Sequence, residues 1–326
     1  MTSTIAITGA GGFIGSAIAR RYLERGWTVR GLDMPGVAPI EGTQWISGDI
    51  RDDKIVDECV AGAQLVVHTA ALVSESGDWA QFHELNAVAP KRIALAARRS
   101  GAHSYVHFSS IMVHGFDYRD GANEDDPFDP ADNPYCWSKI IGEHSLRGVN
   151  DPGRFRVHIV RPGDVYGPGS EPWIKRPLRH MSERTFVYVD ATHSVINHVY
   201  IDNLVDAIEV IVDAGDEAAG QAFIVTDGQR TLMRDFWGWF AERGSRRRHP
   251  ELPGWVAEPA IGSLSRILPR GITQRLDLDR QSIRYLRRRG TFDTSRIRSL
   301  GWSPRVGLDE GRELTLRALT EAGITW

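Results

Sequence analysis

Thr4 to Gly15 reads TIAITGAGGFIG, and the order of its parts decides the fold. Thr4 to Thr8 is a short apolar, β-branched run that makes a strand. Glycines then make a tight turn, and FIGSAIARRYLERG follows with apolar residues near helical spacing. Strand, turn and helix recur downstream: WTVRGLD, TQWISGD, AQLVVHTAA, YVHFSS and RVHIVRPG each hold a further strand, and AQLVVHTAA is apolar enough to be buried on both faces. Helical segments lie between them. In one, FHELNAVAPKRIALAARRSG, Pro90 is expected to kink or interrupt the helix and Gly101 to stop it. Strands alternating with crossover helices specify an α/β fold with a doubly wound parallel sheet, and its ligands bind at the strands' carboxyl ends.

Gly9, Gly12 and Gly15 fall at GxxGxxG spacing where the first strand hands over to the first helix. With no side chains there, backbone N–H groups and the helix N-terminus can approach a pyrophosphate, next to Phe13 and Ile14. Asp33 closes the second strand, where a carboxylate accepts both ribose hydroxyls of adenosine and repels a 2′-phosphate; NAD is favoured over NADP, although Arg30 stands nearby. Asp49, in SGDI, is placed to take an amide contact from adenine. A turn-forming Asp is the alternative reading of both positions.

Composition sets the outer bounds. A chain of 326 residues with net charge −3 can bury one large core or two smaller ones sharing a cleft, and offers no electrostatic reason to bind nucleic acid. No apolar run reaches the roughly 18 residues of a membrane span, and the start MTSTIAITGAGG lacks the regions of a secretory signal, so the cytoplasm is the expected location. Cys59 and Cys136 have neither disulfide nor zinc spacing, so no metal is expected. Beyond about Gly169 the strand–helix rhythm loosens into GSEPWIKRPLRHM. HVYIDNLVDAIEVIVDAG then reads as a strand leading into an amphipathic helix that could return the chain to the sheet. Residues 1–170, with a return segment at about 196–228, therefore read as a dinucleotide-binding domain; 171–195 and 229–326 read as a smaller, interleaved C-terminal substrate lobe. Gly115 to Pro134, rich in Asp, Gly and Pro, reads as a mobile loop.

YCWSK, Tyr135 to Lys139, carries the chemistry. Lysine occurs only at positions 54, 91, 139 and 175, so a chance Tyr-x-x-x-Lys match is expected about 0.1 times in such a chain. On a helix the two side chains share a face, where the Lys139 charge favours the phenolate of Tyr135 and makes it a usable acid or base.

The combination TGAGGFIG, GDI, HTAA, SSIMVHG, YCWSK and RPGDVYGPG resembles the extended short-chain dehydrogenase/reductase family, and the closing DTSRIRSLGWSPRVGLDEGREL extends the likeness over essentially the whole chain. The resemblance implies a Rossmann-type fold, a small-molecule substrate and a Ser110, Tyr135, Lys139 site. In it Ser110, five residues before Gly115, holds the substrate oxygen, with Ser109 the second choice; Tyr135 exchanges its proton, and Lys139 also binds the nicotinamide ribose. Ile50, Ala70 and Pro162 join the cofactor contacts, and Val73, His114 and Asp164 the substrate contacts. Helices around Phe82 to Arg99 and Tyr135 to Val149 resemble the pair that builds a homodimer.

Three features bear on the branch. Ile111 and Met112 stand where the family's dehydratases and decarboxylating members carry acidic residues, and aliphatic groups cannot move protons. Asp164 replaces the Asn that contacts phosphates in nucleotide-sugar members, and a carboxylate repels a diphosphate unless it is neutralised, which weakens the sugar-epimerase reading without excluding it. RQSIRYLRRRGTFDTSRIRSLGW is similar to the 3β-hydroxysteroid dehydrogenase-like branch, whose pocket Trp173, Trp237, Trp239, Trp255 and WVAEPAIGSLSRIL could line, if they are not lobe core. Arg246 to His249 and Arg287 to Arg289 could grip phosphates or form solvated faces. The readings in competition are an NAD-dependent dehydrogenase or reductase of a lipophilic secondary alcohol or ketone, a nucleotide-sugar epimerase working through a transient keto sugar, and a noncatalytic NAD sensor or scaffold, against which the Tyr135 and Lys139 pair argues.

Overall fold

In the computed structural model, which describes residues 2–74, 77–244, 248–267 and 280–326, β1 (Thr4–Thr8) runs through the middle of the sheet. It pairs in parallel with β2 (Thr28–Asp33) on one side and β4 (Leu65–His68) on the other. β3 (Gln44–Ser47) extends the sheet beyond β2. β5 (Ser104–Phe108), β6 (Arg156–Pro162) and β7 (Ala222–Val225) extend it beyond β4, so seven strands lie in the order β7-β6-β5-β4-β1-β2-β3. All six pairings are parallel, as alternating strands and crossover helices require. Side chains alternate between two apolar layers: Ile5, Ile7 and Val67 enter one, Ala6, Val66 and Tyr105 the other. β4 and β5 are buried at every residue because both faces are covered.

The chain builds outward from β1 to β3 and then crosses back to β4. Loops leaving β1 and β4 therefore diverge, and the crevice between them is the ligand position of such sheets. α1 (Phe13–Glu24) follows β1, and α2 (Asp53–Val60) follows β3. Before α3 (Ala89–Arg99), a helical turn at Trp79–Phe82 and a wide π-type turn at His83–Val88 run head to tail. Pro90 has no N–H to give the carbonyl of Asn86, and the widened turn precedes it, which is the expected interruption. That carbonyl lies against Gly142 of α4 (Pro134–Leu146), where any Cβ would collide with it, so the interruption seats the YCWSK helix. α4 starts where Asn133 Oδ1 accepts the N–H groups of Tyr135 and Cys136 at 2.9 and 3.1 Å, with Pro134 in the first turn.

His198–Tyr200 is a strand, as HVYIDNL suggests, but it pairs with Asp164–Tyr166 outside the main sheet. The return to the main sheet comes one element later: α5 (Ile201–Asp213) leads to β7, which pairs with β6. Gly115 to Pro134 contains little regular structure yet is extensively tied: Asp126 pairs with Arg119 at 2.6 Å, Asp120 accepts from Thr291, and Glu124 accepts the Ile224 N–H of β7. The C-terminal lobe carries α6 (Met233–Arg243), α7 (Gly254–Ile267) and α8 (Arg280–Leu286), which pack beyond the carboxyl edge of the sheet.

Candidate active site

The glycine turn is cut to fit a close ligand. Gly9 has φ +72°, and a Cβ there would come within 2.7 Å of the Ala70 nitrogen. A Cβ on Gly15 would fall on the Gly9 carbonyl oxygen, so α1 presses against the turn. Gly12 caps α1 with no side-chain hydrogen bond, leaving first-turn N–H groups facing the crevice. These backbone donors and the positive helix end suit a pyrophosphate, and the turn has no Cβ in its path: the residues present fit a dinucleotide.

Asp33 closes β2, its Oδ2 accepting the Gly11 N–H and its Oδ1 the Met34 N–H, both at 2.8 Å. Arg30 is committed elsewhere, to the Glu58, Cys59 and Ala61 carbonyls at the end of α2, at 3.3, 3.0 and 2.6 Å. The cation that kept NADP open is thus occupied. Asp49 is bound by its neighbour: Arg51 gives it backbone and side-chain N–H bonds, which hold the Asp49 carboxyl below the usual carboxylate range. Ile50 is buried, and its carbonyl takes a bond from Arg92 at 2.5 Å.

α4 and the end of β5 assemble the candidate reactive corner. Tyr135 and Lys139 are 7 % and 3 % exposed. The Lys139 Nζ lies 5.7 Å from the centre of the Tyr135 ring and donates to the Phe108 carbonyl at 2.8 Å. Burial pulls the Lys139 ammonium down to about 8, with Glu143, one turn along, opposing the shift. The two adjacent serines separate cleanly. Ser109 is held by a short hydrogen bond to Glu143. Ser110 accepts the Met112 N–H at 3.1 Å, which leaves its own O–H to donate.

A cavity of about 930 Å³ runs from Gly9, Gly12, Phe13, Ile14 and Gly15 past Ser110, Tyr135, Lys139 and Pro162 into the lobe, with the exposed Val73 at its edge. Asp33, Asp49, Ile50 and Ala70 stand outside its lining, on the β2 and β3 side of the glycine turn or behind it. Beyond Tyr135 the walls are largely apolar: Trp173 and Trp237 stack at 5.9 Å, joined by Phe186, Ile283 and Leu286. Trp237 Nε1 donates to the Trp173 carbonyl at 3.1 Å, so its polar atom is satisfied within the wall.

Two expected substrate contacts are not brought to this cavity. His114 is buried between Arg161, which donates to its Nε2 at 3.1 Å, and the Pro127 carbonyl, 3.3 Å from its Nδ1. Arg161 can only donate, so Nε2 must accept and Nδ1 carries the proton: the ring is neutral, and burial beside Arg161 lowers its pKa to about 4. Asp164 is 0 % exposed and bound to Arg288 at 2.9 Å. Trp239 lies under the Arg243 guanidinium and Trp255 is 75 % exposed; neither lines the cavity, though Ala257 and Ala260 of the same apolar segment do. Arg287 pairs with Asp190 and Glu258 rather than facing the cavity. Arg246 and Arg247 lie outside the described residues.

Sequence reading missed the groups behind the corner. Glu143 takes two bonds from Arg161, at 2.9 and 2.7 Å, besides the one from Ser109. Asn86 clamps Leu72 through both backbone groups and reaches Ser138 at 3.1 Å, beside Tyr135 and Lys139 on α4. Glu143 sits one helical turn after Lys139, a spacing that could have flagged it; Asn86 gives no local signal.

Comparison with known proteins agrees with this architecture. The 2-alkyl-3-oxoalkanoate reductase of Stenotrophomonas maltophilia is 27 % identical over 244 residues, 71 % of this chain and 72 % of that protein. The UDP-glucose 4-epimerase of Mycolicibacterium smegmatis is 28 % identical over 327 residues, 94 % and 95 % of the two chains. The solved structure of MoeE5 in complex with UDP-glucuronic acid and NAD superposes with a TM-score of 0.78 at 23 % identity, covering 98 % of this chain and 99 % of that one, and so shares the fold. Residues 5–225 match the profile of the NAD dependent epimerase/dehydratase family. With its glycine turn, doubly wound sheet and YCWSK helix, the chain belongs to that family and is an NAD-dependent enzyme of the extended short-chain dehydrogenase/reductase type.

Proposed function

We propose that the protein oxidises or reduces a lipophilic secondary alcohol or ketone, steroid- or terpenoid-like in character, through Ser110, Tyr135 and Lys139. The observation that carries this is the apolar wall of Trp173, Trp237, Phe186, Ile283 and Leu286, which continues the same cavity that holds the reactive corner. Burying such walls against an apolar ligand contributes about 25 cal/mol per Å². Asp164 does not decide between these substrate classes by charge: neutralised by Arg288 behind the cavity wall, its carboxylate neither repels nor attracts a diphosphate.

In this proposal the glycine turn at Gly9, Gly12 and Gly15, with Phe13, Ile14 and Pro162, holds NAD, and Asp33 takes the adenosine ribose, with Asp49, Ile50 and Ala70 beside it. When bound, the nicotinamide accepts or gives a hydride at C4. The chain does the rest. Ser110 donates its O–H to the substrate oxygen and fixes it. Tyr135 takes the hydroxyl proton in oxidation or gives its own in reduction. Lys139, held by Phe108, places a positive charge near the Tyr135 ring and favours the phenolate, and it also grips the nicotinamide ribose. The sheet through residue 170, with the return segment 196–228, serves the cofactor; 171–195 and 229–326 serve the substrate.

A second reading, epimerisation of a nucleotide sugar, is favoured by the near full-length match to the mycobacterial epimerase. Lasting cofactor turnover separates the two. Incubation with NADH and a panel of steroid-like and terpenoid ketones should consume NADH stoichiometrically; conversion of a UDP-sugar with no net change at 340 nm would displace the reductase reading.

The same reading makes the protein a cytoplasmic homodimer. Among the described residues no helix is long and apolar enough to cross a membrane. Trp79, Val88 and Trp137 are exposed on the helices flanking α3 and on α4, and pairing those helices with a second copy would cover them. Light scattering at several concentrations tests this.

A further inference from the structure

We propose that Asp164 determines specificity without touching the substrate: through Arg288 and Tyr285 it seats the wall segment that shapes the lobe end of the cavity. The idea rests on the reading of the lobe end as the substrate site. Asp164 lies between Gly163 and Val165, both in the cavity's floor. Across from it α8 contributes Ser282, Ile283, Tyr285 and Leu286 to the wall. Nothing in the local sequence holds α8 there, since it is seven residues long and flanked by arginines.

The holding force converges on one carboxylate. Arg288 Nη2 reaches Asp164 at 2.9 and 3.2 Å, Tyr285 gives it a short O–H bond, and the Asn197 N–H donates at 2.8 Å. Arg288 also lies over the Tyr285 ring, 3.5 Å from its centre, and its Nε donates to the Tyr285 carbonyl at 2.7 Å. The Val195 N–H closes the far side on the Arg288 carbonyl at 2.7 Å. Asp164 and Arg288 side chains are 0 % and 1 % exposed, so neither charge can turn to water if the other is removed. Tyr285 transmits the seating into the cavity, packing on Trp173 at 5.8 Å and edge-on to Phe116 at 5.9 Å. The dinucleotide end has no part in this cluster, because Gly9 to Gly15 and Lys139 are held by β1, α1 and Phe108.

The test uses the full chain with NAD and Nile red, an uncharged planar fluorophore, as the probe of the lobe end. Asp164→Asn leaves Arg288 buried and unpaired; it should weaken Nile red binding about 10-fold and speed hydrogen exchange at 281–288 by a similar factor, while the NAD Kd stays within about 2-fold. Asp164→Leu combined with Arg288→Met replaces the pair by apolar groups and should restore both to within about 3-fold of the native protein. If Asp164→Asn does not fold, Tyr285→Phe removes one bond to the carboxylate and should weaken the probe about 3-fold. Unchanged exchange and probe affinity in these variants, or an equal loss of NAD affinity, would overturn the proposal. Failure of every lipophilic ketone as a substrate, with the wall responding as described, would sink the substrate reading and leave the seating role intact.

Discussion

Lys139 Nζ donates to the carbonyl oxygen of Phe108 at 2.8 Å, joining the middle of α4 to the last residue of β5. The bond places a buried ammonium between the strand that delivers Ser109 and Ser110 and the helix that delivers Tyr135. It also means that the proposed reactive corner is held at the expense of stability, because desolvation disfavours the charged form of Lys139 and lowers its pKa to about 8.

Lys139→Met should therefore abolish turnover and raise the stability of the NAD-free protein by about 1–2 kcal/mol at pH 7. The sign follows from the depressed pKa. Below pH 8 the native state carries the full cost of the buried charge, and between about 8 and the 10.5 of a free lysine the folded protein sheds its proton first and gains stability. Urea titrations from pH 7 to 10.5 should show that rise in the native protein and its absence in the variant.

Tyr135→Phe removes the hydroxyl of the proposed proton carrier while keeping its ring in the cavity wall. Turnover should fall roughly a thousandfold while NAD binding, followed by fluorescence, stays within about 2-fold. Full activity in the variant would reject the mechanism.

Gly15→Ala drives a Cβ into the Gly9 carbonyl oxygen, whereas Gly148→Ala meets nothing within 4 Å. The first should cost about 1–3 kcal/mol and more than 10-fold in NAD affinity; the second should leave both unchanged. Calorimetric titration with NAD and thermal unfolding of the two variants provide the comparison.

Asp33→Ala removes the carboxylate from the end of β2 while Arg30 remains held by α2. The ratio of NADP to NAD affinity should rise about 10-fold, chiefly through lost NAD binding, because no cation is freed for the extra phosphate. Paired titrations with both dinucleotides measure it.

Glu143→Gln leaves Arg161 buried with half its ion pair gone. Stability should drop by about 3 kcal/mol, measured by chemical denaturation, because the single amide oxygen left must serve both Ser109 and Arg161 while the new NH2 faces the guanidinium.

The strands, the glycine turn and the YCWSK helix were legible because each is a local pattern: short apolar β-branched runs, missing side chains and an i, i+4 pair are all short-range facts. So was the interruption at Pro90, a matter of one absent N–H. HVYIDNLVDAIEVIVDAG was legible as a strand and a helix, and that helix does lead the chain back to the sheet through β7; that HVY itself pairs with Asp164–Tyr166 depends on tertiary packing.

What the sequence by itself determined is the doubly wound sheet, the dinucleotide turn and the Tyr135 and Lys139 pair on one helix, since these follow from residue type and spacing along the chain; Ser110 was added by resemblance to the family. Only the tertiary structure decided that Ser109 belongs to Glu143, that Arg30 is spent on α2, and that His114 and Asp164 stand behind the cavity, the first hydrogen-bonded to Arg161 and the second ion-paired with Arg288. A side chain's role in such places is set by the partner that compensates its burial, and that partner comes from 13 to 124 residues away, a distance over which no sequence periodicity reaches.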